Sequence, residues 1–283
     1  MKKLNLSRAV IQACLIFWAA LQIFPLYWLL TFSLKDNTEI FQGNMVGLPS
    51  VWRFENYTHA FMGGNVGRYL ANSIIVTAAT ILIVCIASLM ASYALIRMKW
   101  KLQKTFQLIF IMGITIPIHA ALLPVFIMMR QVHLINTYWC LIIPYSAFAV
   151  PMAIMISSGF ISSIPVELEE AACIDGCNIY KIFIQIILPL MKPSLATIAI
   201  FTFLQSWNEL MFAMTFISDE KYKTLTVGIR TLTVGIQSLV GQYTTDWGPI
   251  GAGLVVATFP IIIIYVILSR QVQQSLIAGS VKG

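Results

Sequence analysis

Long apolar runs organise this chain, and they are not interrupted by alternating polar positions. Six stand out, over 9–34, 69–96, 106–129, 134–161, 195–217 and 249–269. Each exceeds the roughly 20 residues that a helix needs to cross a hydrocarbon core about 30 Å thick. A membrane barrel would instead show segments of about ten residues with alternating character, and lipid admits only helices or closed barrels because every backbone polar group must be satisfied internally. The pattern predicts an all-α, polytopic membrane protein with six transmembrane helices, in a single transmembrane domain over 1–283. Pro25, Pro117, Pro124, Pro144, Pro151 and Pro260 fall inside the runs and predict kinks, since each removes an N–H and frees a carbonyl one turn earlier.

Composition agrees with a bilayer as the solvent. The chain is 59% hydrophobic and 10% charged, with a mean hydropathy of +0.83, against about 25% charged residues in a soluble domain. The net charge of +7 comes from Lys and Arg at run boundaries, which is a topology signal and not a nucleic-acid patch. With the N-terminus inside, Lys2, Lys3, Arg8, Arg97, Lys99, Lys101, Lys104, Lys181, Lys192, Arg270 and Lys282 fall in the cytoplasm. Fewer basic residues fall outside. Both termini are therefore expected in the cytoplasm. The first run follows three basic residues as a signal peptide would, but its length exceeds an h-region and no clean small-x-small site follows, so it reads as a retained helix. The five cysteines are scattered and imply no disulfide framework.

Three polar segments separate the runs: 35–68 outside, 162–193 inside and 218–248 outside. The inner one begins Ile164-Pro-Val-Glu-Leu-Glu-Glu-Ala-Ala-Cys-Ile-Asp-Gly176. Pro165 suits a first helical turn, and Glu167, Glu169 and Glu170 follow where the helix dipole favours acids. Gly176 can take the left-handed conformation that ends a short helix. A second helix is expected from Asn178 to Leu188, stopped by Pro189. The prediction is a cytoplasmic helix-turn-helix lying against the membrane, with Ala171 and Ala172 presenting a low-relief surface.

The same segment carries E-A-A-x3-G-x9-I-x-L-P at Glu170, Ala171, Ala172, Gly176, Ile186, Leu188 and Pro189. Seven fixed types at about 5 to 10% background each match by chance on the order of once in 10⁵ chains or more rarely. On these residues the segment resembles the EAA coupling loop of ABC importer permeases. Leu134-Ile-Asn-Thr-Tyr138, Trp207-Asn-Glu209, Asp246-Trp-Gly248 and Ala278-Gly-Ser-Val-Lys-Gly283 look like carbohydrate-uptake permeases of the six-helix, maltose-transporter type. The resemblance covers most of the chain and is weakest before about Tyr69.

It implies a permease subunit that imports a sugar or oligosaccharide by alternating access, with a polyol or glycerol phosphate as the alternative cargo. Glu170 would contact a basic group in a groove of the ATPase, Ala171 and Ala172 would form the close-packing face, and Gly176 the turn. The implied partners are a second, non-identical permease, a dimer of ATPase subunits, an extracytoplasmic solute-binding protein and membrane lipid. No cofactor is expected on this chain, with ATP and Mg belonging to the ATPase. The segment Ser218–Gly248 would touch the binding protein. A different reading of the acids in the inner helix is that they solvate an amphipathic interfacial helix, although Lys and Arg suit a surface facing anionic lipid better.

Within the fifth run, Gln205, Asn208 and Glu209 stand at i, i+3 and i+4 and are expected on one helical face. They form either a polar lining of the pathway or a structural clamp, and an intramembrane acid is a functional candidate by default. Cys173 and Cys177 lack companion ligands, and His119 is alone in its run, so no metal site is expected. Trp207 is a candidate for sugar stacking, whereas Trp28, Tyr69 and Trp139 suit the membrane interface. The chain has no phosphate loop of the G-x4-G-K-[ST] type, no G-x-S-x-G and no H-E-x-x-H, so no catalytic residue is expected and ATP hydrolysis falls to another chain. An intramembrane enzyme would need paired acids, a nucleophile with its base, or a metal cluster in the spans. An ion-coupled secondary transporter would need intramembrane ion ligands or repeat symmetry.

Overall fold

The computed structural model describes residues 6–63, 65–228 and 246–280, with side chains over 8–63, 65–228 and 246–268. Among the described residues all regular structure is helical. Helices α1 (Leu6–Phe32), α2 (Asn37–Gln42) and α3 (Glu55–Met62) precede α4 (Val66–Arg97). Helix α5 (Gln103–Thr115), a 3₁₀ turn (Ile118–Ala121) and α6 (Leu122–Gln131) lead to α7 (Trp139–Ser163). There follow α8 (Glu167–Ile174), α9 (Ile179–Ile182), a π turn (Phe183–Ile187), α10 (Leu188–Leu190), α11 (Lys192–Trp207), α12 (Met211–Phe216) and α13 (Trp247–Ser280).

Four helices are singly long and apolar enough to span: Arg8–Phe32 of α1, α4, α7 and Trp247–Leu268 of α13. Two bent pairs, Gln103–Thr115 with Ile118–Gln131 (94°) and Ile179–Leu190 with Lys192–Trp207 (72°), bring the number to six if each is one crossing. The first bend follows from Pro117, which forces the preceding Ile116 into an extended conformation (φ −75°, ψ 115°). The expected run 195–217 is helical only to Trp207, and α12 begins after a break at 208–210.

The chain divides into two compact units, residues 1–67 with 228–259, and residues 68–227 with 260–283. In the first, α1 is exposed from Arg8 to Trp28, as expected of a helix that is apolar on every side. Burial begins at its end, where Thr31, Ser33 and Lys35 turn inward. Lys35 is fully buried, and its ammonium exchanges water for the carbonyls of Asn44 (2.5 Å), Gly47 (2.8 Å) and Met45 (3.4 Å). Asp36 caps α2 by accepting from the Glu39 N–H (2.9 Å) and pairs with Arg53 (2.9 Å). That backbone bond, with the guanidinium beside it, holds the Asp36 carboxyl below its usual range.

Buried Asn56 of α3 donates to the carbonyls of Ser33 (2.9 Å) and Lys35 (3.0 Å). The start of α13 closes on the same place, with the Trp247 N–H donating to Asn37 Oδ1 at 2.8 Å. A Cβ at Gly248 would lie 2.3 Å from Asn56 Nδ2, so the Asp-Trp-Gly triplet ends on glycine because any side chain would collide there.

In the second unit α7 is the central element, burying more of its apolar window than any other single-helix span. Gly113 of α5 sits against Pro151 of α7 so closely that a Cβ would meet Pro151 Cγ at 2.9 Å. Toward the start of α7, Leu141, Tyr145, Phe212 and Phe216 form one buried cluster. Toward its end, Ile161 packs with Leu89, Tyr93, Ala172, Ile182, Ile187 and Met191 in another.

Candidate functional site

The segment 162–193 folds as a helix-turn-helix. Helix α8 carries Glu167, Glu169 and Glu170 in its first turn, where the free N–H groups and dipole favour acids. It ends in a Schellman motif: the Cys177 N–H bonds the Ala172 carbonyl (2.9 Å) and the Gly176 N–H bonds that of Cys173 (3.0 Å). Gly176 has φ +79°, a conformation that costs L-residues energy and glycine none. Asn178 then caps α9, accepting from the Lys181 N–H at 2.9 Å.

The two adjacent acids of α8, Glu169 and Glu170, point differently. Glu169 turns inward, its Oε1 2.7 Å from Arg97 Nε and its Oε2 accepting from Tyr93 Oη at 2.9 Å. Glu170 is exposed, as are Ile174 and Tyr180, at 86% and 75%. Ala171 is exposed as well, but Ala172 is buried within this chain's own cluster. The expected two-alanine outer face is therefore one alanine wide, because successive helical residues differ by about 100° in direction.

Pro189 does not stop the second helix. The Leu188 N–H bonds the Phe183 carbonyl, five residues back, and this wider π turn leaves room for the proline ring. The chain continues to Leu190 and changes direction at Met191. Ile187 and Met191 are fully buried, and Ile186 and Leu188 pack partly buried against the same cluster.

Gln205, Asn208 and Glu209 do not share one face of a continuous helix. Helix α11 ends at Trp207, with the Asn208 side chain turned back to the Leu204 carbonyl (2.9 Å). Glu209 lies past that end and is buried at 8% exposure. Its carboxyl group accepts from Tyr145 Oη (2.6 Å) and from the N–H groups of Phe212 (2.9 Å) and Ala213 (3.2 Å), capping α12. Asn208 and Gln205 are exposed. Gln205 lies at a groove of about 350 Å³ between α7 and α11, with Ala149, Met152, Ile156, Phe201 and Thr202. Trp207 is buried and stacks on Phe203 with ring centroids 5.1 Å apart, which makes it a packing residue.

Leu134–Tyr138 braces the same end of α7. Asn136, at φ +59°, accepts from the N–H groups of Ser218 (2.7 Å) and Asp219 (3.0 Å). Tyr138 Oη donates to Asn72 Oδ1 (2.8 Å), and Asn72 Nδ2 donates to the carbonyls of Lys221 and Lys223. Of the segment 218–248, residues 229–245 lie outside the described residues. Among the described residues no group of three His, Cys, Asp or Glu is placed to hold a metal.

The pairing of Glu169 with Arg97 and Tyr93, and that of Glu209 with Tyr145, are absent from the sequence reading. Tyr93 and Arg97 carried a usable signal, since they stand at i and i+4 at the end of a span beside an acidic loop.

Four to six apolar crossings and a loop with exposed acid and apolar side chains define a helical membrane protein. The chain belongs to the family of binding-protein-dependent transport system inner membrane components, whose model matches residues 83–277. It is 36% identical over 260 residues to the probable ABC transporter permease protein YurM of Bacillus subtilis, covering 92% of this chain and 84% of the relative. It is 32% identical over 272 residues to the diacetylchitobiose uptake system permease protein NgcG of Streptomyces coelicolor, covering 96% and 88%. Among solved structures, a chain of a bacterial ABC transporter that imports the acidic polysaccharide alginate superposes with a TM-score of 0.83 at 23% identity, covering 95% of this chain and 98% of that one. In this family the permease is the transport subunit, and the ATPase is a separate chain.

Proposed function

We propose that this permease imports a sugar or oligosaccharide and couples to its ATPase through α8. The observation that carries the coupling reading is the exposure of Glu170, Ile174 and Tyr180 on the two sides of the left-handed Gly176. An acid with apolar neighbours is suited to a groove that offers one basic group and an apolar wall. Ala171 lets the partner approach closely, and Gly176, Ile186, Leu188 and Pro189 hold the turn and its return helix. The sugar assignment is supported by the diacetylchitobiose relative; a polyol or glycerol phosphate is the alternative cargo.

The working assembly would contain a second permease, two ATPase subunits and an extracytoplasmic solute-binding protein. ATP and Mg belong to the ATPase, and this chain carries no cofactor. Both termini and the 162–193 loop face the cytoplasm, in keeping with the excess of Lys and Arg on that side. Gln205 and Asn208 line the pathway, Glu209 fixes the wall behind them, and the segment 218–248 meets the binding protein.

The test is Glu170→Lys in the reconstituted complex. Uptake should be abolished while membrane insertion is unaffected, since like charges across a docked interface cost several kcal/mol and the spans are untouched. A compensating acidic change on the ATPase should restore uptake. Normal uptake and ATPase in Glu170→Lys would refute the docking assignment. A thermal-shift screen of the cognate binding protein across sugars, polyols and glycerol phosphates would decide the cargo.

A further inference from the structure

We infer that Arg97 and Glu169 form a positioning joint that makes the end of α4 move with α8, so that displacement of the docked loop is delivered into α4. The inference rests on the docking reading of α8. Arg97 is the last residue of α4, and its guanidinium faces two other elements. Its Nε meets Glu169 Oε1 of α8 at 2.7 Å. Its Nη2 donates to the carbonyls of Ile161 (2.9 Å) and Ile164 (2.6 Å) at the end of α7. The second oxygen of Glu169 is taken by Tyr93, one turn earlier on the same face of α4. Glu169 thus meets α4 twice, through a hydrogen bond from Tyr93 at one oxygen and, at the other, a close ion-pair contact with Arg97 whose angle lies outside hydrogen-bond geometry.

The surroundings make this contact hard to slip. The two side chains are 11% and 12% exposed, so water cannot readily replace either partner, and separating a buried pair leaves two uncompensated charges. Leu89 and Tyr93 of α4 pack with Ala172 of α8 and Ile182 of α9 beneath it, and the Tyr93 and Phe183 rings lie 5.1 Å apart. Arginine suits the position because its planar fork serves a carboxylate and carbonyls from different nitrogens, whereas lysine has one nitrogen for both. Glu170, one residue on, faces away. Neighbouring acids would therefore have separate tasks, with Glu170 meeting the partner and Glu169 passing its motion inward.

Two readouts on the full complex test this. The first is sugar transported per ATP hydrolysed in proteoliposomes. Glu169→Gln and Arg97→Lys should each lower this ratio by about tenfold, the scale of a coupling near 1.4 kcal/mol, with the ATPase still co-purifying. Tyr93→Phe, which removes one hydroxyl and guards against a folding failure, should lower it less. The second is the distance between spin labels at Met90 of α4 and Leu168 of α8, both exposed, with the five native cysteines replaced. That distance should stay constant on ATP binding in the otherwise unaltered chain and change in Glu169→Gln. A wild-type ratio in Glu169→Gln, or a label distance that changes with ATP while Arg97 and Glu169 are intact, would overturn the joint. Failure of the docking reading is seen separately, as normal transport in Glu170→Lys, and does not alter the label distances.

Discussion

The two ends of α7 each hold a carboxyl group where a neighbouring helix breaks, and they satisfy it by different means. Beside Tyr145, Glu209 is met by a hydroxyl and two backbone N–H groups, next to fully buried Phe212 and Phe216. Beside Ile161, Glu169 is met by a guanidinium that also holds the end of α7, and the next residue, Glu170, is exposed. Neutral donors, two from the following turn of chain and one from α7, close this site into the fold. A charge pair that bridges separate helices fixes how they move together while leaving the adjacent surface open. On the proposed coupling, one end is a fixed wall and the other a joint with a docking face.

Glu209→Ala should break this contrast most severely. It strands the Tyr145 hydroxyl and two N–H groups in a buried place, at about 1–3 kcal/mol for each unsatisfied group. The purified complex should melt several degrees lower, with assembly impaired. Tyr145→Phe removes one of those bonds and should cost about 1–3 kcal/mol, read in the same melt. Gly176→Ala meets no atom within 4 Å, so its cost is conformational strain alone, about 1 kcal/mol. It should weaken coupling more than stability, and an asparagine there should be milder. Glu170→Gln should leave the melting profile within about 0.5 kcal/mol of the parent while reducing transport. If Glu170→Gln destabilised as Glu209→Ala does, the two ends would not differ as argued.

The sequence made the spans legible because length and unbroken apolarity suffice to call for a helix in lipid; α4 and α7 follow the runs 69–96 and 134–161 closely. Changes of direction were less legible. Pro117 marked the first bend, whereas the turn at Met191 and the break after Trp207 fall at the short polar pairs Lys192-Pro193 and Asn208-Glu209, which a reading in long apolar runs passes over. Pro189 was a misleading stop because a π turn absorbs it. The loop's turn was legible in Gly176, since positive φ singles out glycine. The separate orientations of Glu169 and Glu170 were not, because both sit in the same first turn and only the position of Arg97 in space distinguishes them. For Gln205, Asn208 and Glu209, a common face required the helix to continue, and the Asn208 cap ends it.

On the proposed coupling, the surface around Ile174 engages the ATPase while the Glu209 end is closed. A photo-crosslinking amino acid placed at Ile174 in the assembled complex tests this directly, with a second placed at exposed Met211, two residues beyond Glu209, as control. Irradiation should yield an adduct between this chain and the ATPase subunit from position 174 and none from position 211. Absence of an ATPase adduct from position 174 during turnover, or an equal yield from position 211, would contradict the account.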